Sequence, residues 1–165
     1  PRRGEEYSNM IIIKPKQKNS KAKTIELLKD TSNYLLLSKK SNRPDVFVFK
    51  NYKSKVQEIL GTQVLEIDAS LKEALVKYMD KYKKKHNDFL FSKLRSNSKQ
   101  SNWSKFVSSA FQKTVNIPLS INDLRHIHAT YHYKQSPSVQ TLKSIANQMG
   151  QSNYTTLLDY TRVDD

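Results

Sequence analysis

Arg125, Gln151 and Tyr160 are the residues of this chain whose types and order could do chemistry together. They stand in the stretches Leu124-Arg125-His126, Met149-Gly150-Gln151-Ser152 and Tyr160-Thr161. An arginine grips phosphate oxygens through paired N–H donors. An amide beside it can donate to the same oxygens, and a tyrosine hydroxyl can attack phosphorus and hold it covalently. The set points to breaking and rejoining a phosphodiester rather than to passive binding of a polyanion. His128 and His132 have the i, i+4 spacing of a metal pair, but the chain has no cysteine and offers no obvious third ligand. Neither a metal nor a cofactor is expected.

These residues need elements to carry them. Ser120 starts a helix, with Asp123 placed to close a capping box, and Arg125 follows within it. Ser136 and Pro137 break that helix. Leu142, Ile145, Ala146 and Met149 form the stripe of the next, and Gly150 sits where a left-handed C-terminal cap belongs. A short last helix is expected to carry Leu157, Leu158 and Tyr160. Upstream, Trp103, Phe106, Val107, Ala110 and Phe111 make another apolar stripe. Asp68 or Ser70 caps a helix with the face Leu71, Leu75, Tyr78 and Tyr82, which ends in the basic run Lys81 to Lys85. The first part of the chain reads differently. Pro1 to Met10 is a helical turn, and Lys14 to Lys23 is a solvated loop. Ile11 to Ile13, Tyr34 to Leu37, Val46 to Phe49 and Gln63 to Ile67 read as strands. The expected architecture is α+β, a small antiparallel sheet followed by a mainly helical bundle.

The whole, residues 1–165, reads as a single domain, long enough to bury a core. Its 29 Lys and Arg against 15 Asp and Glu give a net charge of +14. That excess must lie on the surface, and nucleic acid is the partner it suits. No long apolar helix or lipidation motif points to a membrane. The lack of cysteine removes thiolate catalysis and disulfides, and fits an intracellular, reducing compartment. The chain starts at Pro1 with no signal peptide, so it is expected to be a fragment of a longer protein.

Several spaced motifs over nearly the whole chain resemble the catalytic domain of the tyrosine recombinase (phage integrase) family. Arg3, Glu6 and Met10 match its first arginine motif, with Arg2 and Glu5 as the weaker register. The family's lysine lies in a β-hairpin after a hydrophobic strand; Val46-Phe47-Val48-Phe49-Lys50-Asn51-Tyr52-Lys53 fits, with Lys53 at the turn and Lys55 as rival. The His-x-x-Arg-His motif reads Asn122-Asp123-Leu124-Arg125-His126, and Leu-Gly-His-Ser reads Met149-Gly150-Gln151-Ser152. Tyr160 falls nine residues after Gln151, the family's spacing.

The resemblance implies site-specific DNA recombination or integration through a 3′-phosphotyrosyl intermediate. Tyr160 would be the nucleophile, with Tyr154 as fallback. Arg3 and Arg125 would grip the scissile phosphate, and Lys53 would protonate the leaving oxygen. Gln151 could still donate to phosphate, whereas Asn122 cannot act as a general base. His126 would orient its neighbourhood. The family also implies a separate N-terminal core-binding domain, absent from this chain, and a homo-tetramer on double-stranded DNA; this fragment would be monomeric. The Lys/Asn/Ser/Ile bias suits a virus, virophage or other mobile element, acting in a nucleus, a viral factory or host cytoplasm. Two other readings stand beside this one. One is a type IB topoisomerase relaxing DNA by the same chemistry; the other is a DNA-binding module impaired by Asn122 and Gln151.

Overall fold

A computed structural model describes residues 2–92, 97, 98 and 102–161. A short helix α1 (Gly4–Ser8) leads into strand β1 (Met10–Ile13). Helix α2 (Lys21–Glu26) precedes the hairpin strands β2 (Asn33–Leu37) and β3 (Pro44–Phe49). Helix α3 (Ser54–Leu60), strand β4 (Gln63–Glu66) and helix α4 (Ala69–Lys81) complete a sheet half. A helical half follows, with α5 (Trp103–Val115), α6 (Ile121–Tyr133), α7 (Val139–Gln148) and α8 (Thr155–Leu158).

The strands lie in the order β1-β2-β3-β4. The sheet is mixed, not antiparallel as expected: β1 pairs parallel to β2, and the other two pairings are antiparallel. The cause is the connection over 14–32, which carries α2 and returns the chain to the end of the sheet from which β1 started. All of β2 is buried because both faces of the sheet are covered. On one face Leu35, Leu37, Phe49 and Ile12 pack with Val56 of α3, Leu75 and Met79 of α4, and Leu90. On the other, Tyr34, Leu36, Val46 and Val48 pack with Ile25 and Leu28 around α2. The outer edge of β1 is closed by the segment 87–90. There Leu90 N–H donates to Met10 O (2.8 Å) and Ile12 N–H donates to Asp88 O (2.9 Å).

Two helices were not expected. Helix α2 takes the end of the segment read as loop, capped by Ser20, which accepts from Lys23 N–H. Helix α3 occupies the stretch after Lys53. The face of α4 also differs: Leu75 and Met79 are buried, while Leu71 and Tyr82 are exposed. Asp68 caps that helix, accepting from Leu71 N–H at 2.9 Å.

The halves meet where α1 packs on α5. Gly4 makes this possible, since a Cβ there would lie 2.2 Å from Trp103. The Trp103 ring of α5 stacks on Tyr7 and abuts Phe91, both packed against the sheet-half core, and these three rings close the joint. The helical half has its own small core of Ala129, Ile145, Met149 and Leu157, with Leu142 and Tyr160 against it.

Candidate active site

Arg3 is positioned by the sheet half. It is the residue before α1, with extended backbone (φ −67°, ψ 149°). The tight approach of Trp103 to Gly4 fixes the helix behind it. Asn122 and Arg125 are positioned by α6, whose first turn carries the expected capping box. Ser120 Oγ accepts from Asp123 N–H at 3.1 Å, and the Asp123 carboxylate accepts from Ser120 N–H at 2.8 Å. Tyr160 lies just past α8, in the turn, and not within the helix as expected.

Arg3, Asn122, Arg125 and Tyr160 line one open cleft of about 360 Å³, together with Glu5 and Trp103. Arg125 is 2% exposed. Its Nη1 donates to Met149 O at 3.0 Å, and its guanidinium carbon lies 4.6 Å from the centre of the Tyr160 ring. Cation and aromatic face therefore attract. The backbone of Tyr160 is held separately: its carbonyl lies 3.0 Å from His126 Nδ1 and 3.5 Å from Thr130 Oγ1. A carbonyl only accepts, so His126 carries a proton on Nδ1. The His126 and Tyr160 rings also touch, with centres 5.1 Å apart. His126 is thus an orienting residue for the tyrosine segment.

Gln151 does not line this cleft. It is buried, and its N–H donates to Ala146 O at 2.8 Å, closing the end of α7. Gly150 before it has φ +68°, the left-handed cap expected of it. Tyr154, the alternative nucleophile, faces a different hollow, with Leu60, Lys143 and Asn147.

Lys53 does not sit in a hairpin turn. It precedes α3 as its N-terminal flanking residue and is exposed. The strand run before it leads not into a tight turn but into α3, and the chain reverses through that helix to reach β4, the antiparallel partner of β3. Lys53 nevertheless lines a second cleft, of about 810 Å³, that shares Arg3, Glu5 and Trp103 with the first. Lys55 is exposed on α3. The hairpin turn spans 38–43, closed by Ser38 N–H on Arg43 O at 2.8 Å, and carries Lys39 and Lys40. The Lys39 ammonium donates to Gln17 O and Asn19 O, both at 2.7 Å, whereas Lys40 is exposed. The signal for this pair was present in the sequence: the apolar run Tyr34 to Leu37 followed by a polar turn.

A solved structure of XerA recombinase shares this fold. The match covers 99% of this chain, with a TM-score of 0.59 and 16% identity. The chain spans about half the length of that protein, 48%. No protein-family model and no curated protein matches the sequence. The likeness therefore lies in the α+β fold, a four-stranded sheet and helices, and not in a close sequence relative.

His128 and His132 touch ring to ring on α6, with centres 4.6 Å apart. Burial, with help from the charges of His132 and Arg125, pushes His128 down to about 4. Among the described residues no helix is long and apolar enough to cross a membrane.

Proposed function

We propose that this chain is the strand-cleaving domain of a tyrosine-type DNA recombinase. The observation that carries the reading is the single cleft shared by Arg3, Asn122, Arg125 and Tyr160, drawn from opposite halves of the fold. The net charge of +14 and the fold shared with XerA recombinase support it. So does a further groove between the end of α4 and α5, where Lys105 and Lys113 stand with Tyr78 and Tyr82, a combination suited to a nucleic-acid backbone.

In this reading a DNA phosphodiester enters the cleft with its non-bridging oxygens on Arg3 and Arg125. Two guanidinium groups oppose the negative charge that builds on phosphorus. The Tyr160 oxygen forms a bond to phosphorus, the bond from phosphorus to the 5′ oxygen breaks, and a 3′-phosphotyrosine remains. The leaving oxygen takes a proton from a lysine on the sheet half. The candidates are Lys53, Lys55 and, from the hairpin turn, Lys40 or Lys39. The phenol proton passes to water, since Asn122 donates a hydrogen bond but accepts no proton at neutral pH. Cleavage is consequently slow. Reversal by an incoming 5′ hydroxyl rejoins strands without an external energy source, and exchange between two duplexes would take place in a tetramer.

A nicked duplex that traps the cleaved state tests this. The expected result is a covalent protein–DNA adduct that Tyr160→Phe abolishes and Tyr154→Phe leaves intact. A second reading, a binding module without chemistry, draws on Asn122 and on Gln151 lying outside the cleft. It wins if the wild-type chain binds duplex but yields no adduct. Plasmid relaxation without strand exchange would instead favour a topoisomerase.

A further inference from the structure

Arg2, not Arg3, is the arginine that the fold buries. It is 1% exposed, on the sheet half, and its guanidinium lies 4.4 Å from the centre of the Phe49 ring and 5.2 Å from that of Tyr52. Its Nη1 is 3.4 Å from the Glu6 carboxylate, itself 4% exposed. Its Nη2 crosses to the other half and donates to Asn147 O, at the C-terminal end of α7, at 3.3 Å. The guanidinium also presses on the turn that follows: a Cβ on Gly150 would lie 2.9 Å from Nη1. Two residues along from Asn147, Met149 O accepts from Arg125. Two arginines from different halves thus hold two carbonyls at the negative end of one helix.

A buried guanidinium is a costly way to fill space. Burial lowers the affinity of Arg2 for its proton and raises that of Glu6, so each group resists the charge that the pair requires. An apolar side chain would fill the volume without that cost. What it could not do is reach the Glu6 carboxylate on α1 and a carbonyl on α7 at once, which a forked donor does.

We propose that Arg2 is a positioning residue: it registers the sheet half against the end of α7, so that Arg3 on one side faces Arg125 and Tyr160 on the other. The link is short. Arg3 is the next residue in the chain, and the turn Arg2 touches leads through Gly150 and Gln151 to the tyrosine segment. This rests on the strand-cleavage reading for its catalytic consequence, but the registration itself is a property of the fold.

The experiment uses the whole chain and three variants, Arg2→Lys, Arg2→Met and the double variant Arg2→Met with Glu6→Gln. The double variant removes both buried charges, so it folds even if Arg2→Met alone does not. Hydrogen exchange is read at Gly150 and Gln151, whose N–H groups donate to Asn147 O and Ala146 O, and at the strands β2 and β3. Expected is a loss of protection of about tenfold at the turn in Arg2→Lys and in the double variant, with the strand amides unchanged. On the nicked duplex the rate of adduct formation falls about tenfold while duplex affinity stays within about twofold. Unchanged protection at the turn, or a loss that merely follows the strands, overturns the proposal. So does a double variant that recovers the wild-type rate, because a purely structural ion pair would be rescued by removing both charges. If the wild-type chain forms no adduct, the strand-cleavage reading fails and the exchange data still decide the role of Arg2.

Discussion

The sheet half and the helical half are held together by different forces. In the sheet half, Met10, Ile12, Leu35, Phe49 and Leu90 are fully buried in one continuous cluster, with a second cluster across the sheet. In the helical half, the buried cluster among the described residues is Ala129, Ile145, Met149 and Leu157, while Val115, Ile117, Ile127 and Tyr131 stay exposed. What the small core does not fix, polar contacts do. Arg125 and Arg2 hold the end of α7, and His126 and Thr130 hold the carbonyl of Tyr160. The firmly packed half thus supplies Arg3, whereas the proposed nucleophile belongs to the half whose order depends on a few directional bonds.

That contrast can be broken first by core truncation. Phe49→Ala is expected to cost about 3–5 kcal/mol, and Leu157→Ala about 2–3 kcal/mol, because a thin core with exposed neighbours collapses more easily around the gap. Both are read by denaturant unfolding; equal losses would mean that the halves are packed alike. A smaller effect tests the directional bonds. Ser120→Ala removes the capping box of α6 and should cost about 1 kcal/mol, with faster hydrogen exchange confined to the first turn, where Asn122 stands. Exchange spreading into β2 would show that the halves do not loosen separately.

A further test is a pH dependence. Three of the four histidines lie on α6. His128 is held down to about 4 by its burial, aided by His132 and Arg125, against 6.5 in an open chain. As pH falls below 6.5 the unfolded chain takes up a proton that the folded chain refuses. Stability present above pH 6.5 is therefore lost progressively toward pH 4 and levels off below it. His128→Gln should flatten the stability curve between pH 6.5 and 4. An unaltered slope would place that pH sensitivity elsewhere.

Local signals were legible in the sequence and distant ones were not. Ser120 and Asp123 announce their capping box because both partners lie within one turn, and Gly150 announces a left-handed cap for the same reason. The runs at Tyr34 and Val46 show as strands because their burial demands short apolar runs, to which the second adds two valines and two phenylalanines that favour extended backbone. Helices α2 and α3 bury little beyond Thr24 and Val56, so neither writes an apolar stripe. The parallel pairing of β1 depends on where a long connection lands, which no short pattern encodes. Lys53 follows a strand and so reads as a hairpin residue, yet the strand before the tight hairpin turn is β2, and Lys53 flanks α3. The motif spacing favours Arg3 over Arg2 for the phosphate, but it carries no sign that Arg2 is buried; that seat is made by Phe49 and Tyr52, distant in sequence.

The segment 87–90, laid along β1, has an effect on the behaviour of the molecule among its own copies. An open strand edge is a template on which another chain can add, the first step toward β-aggregation. Here β1 offers no such template, because its outward N–H and C=O groups are taken by residues of the same chain. That leaves β4, four residues long, alternately exposed, and ending in Glu66 beside Lys21. So short and charged an edge is a poor start for a fibril, and the chain can carry a strongly apolar sheet without becoming sticky along its border.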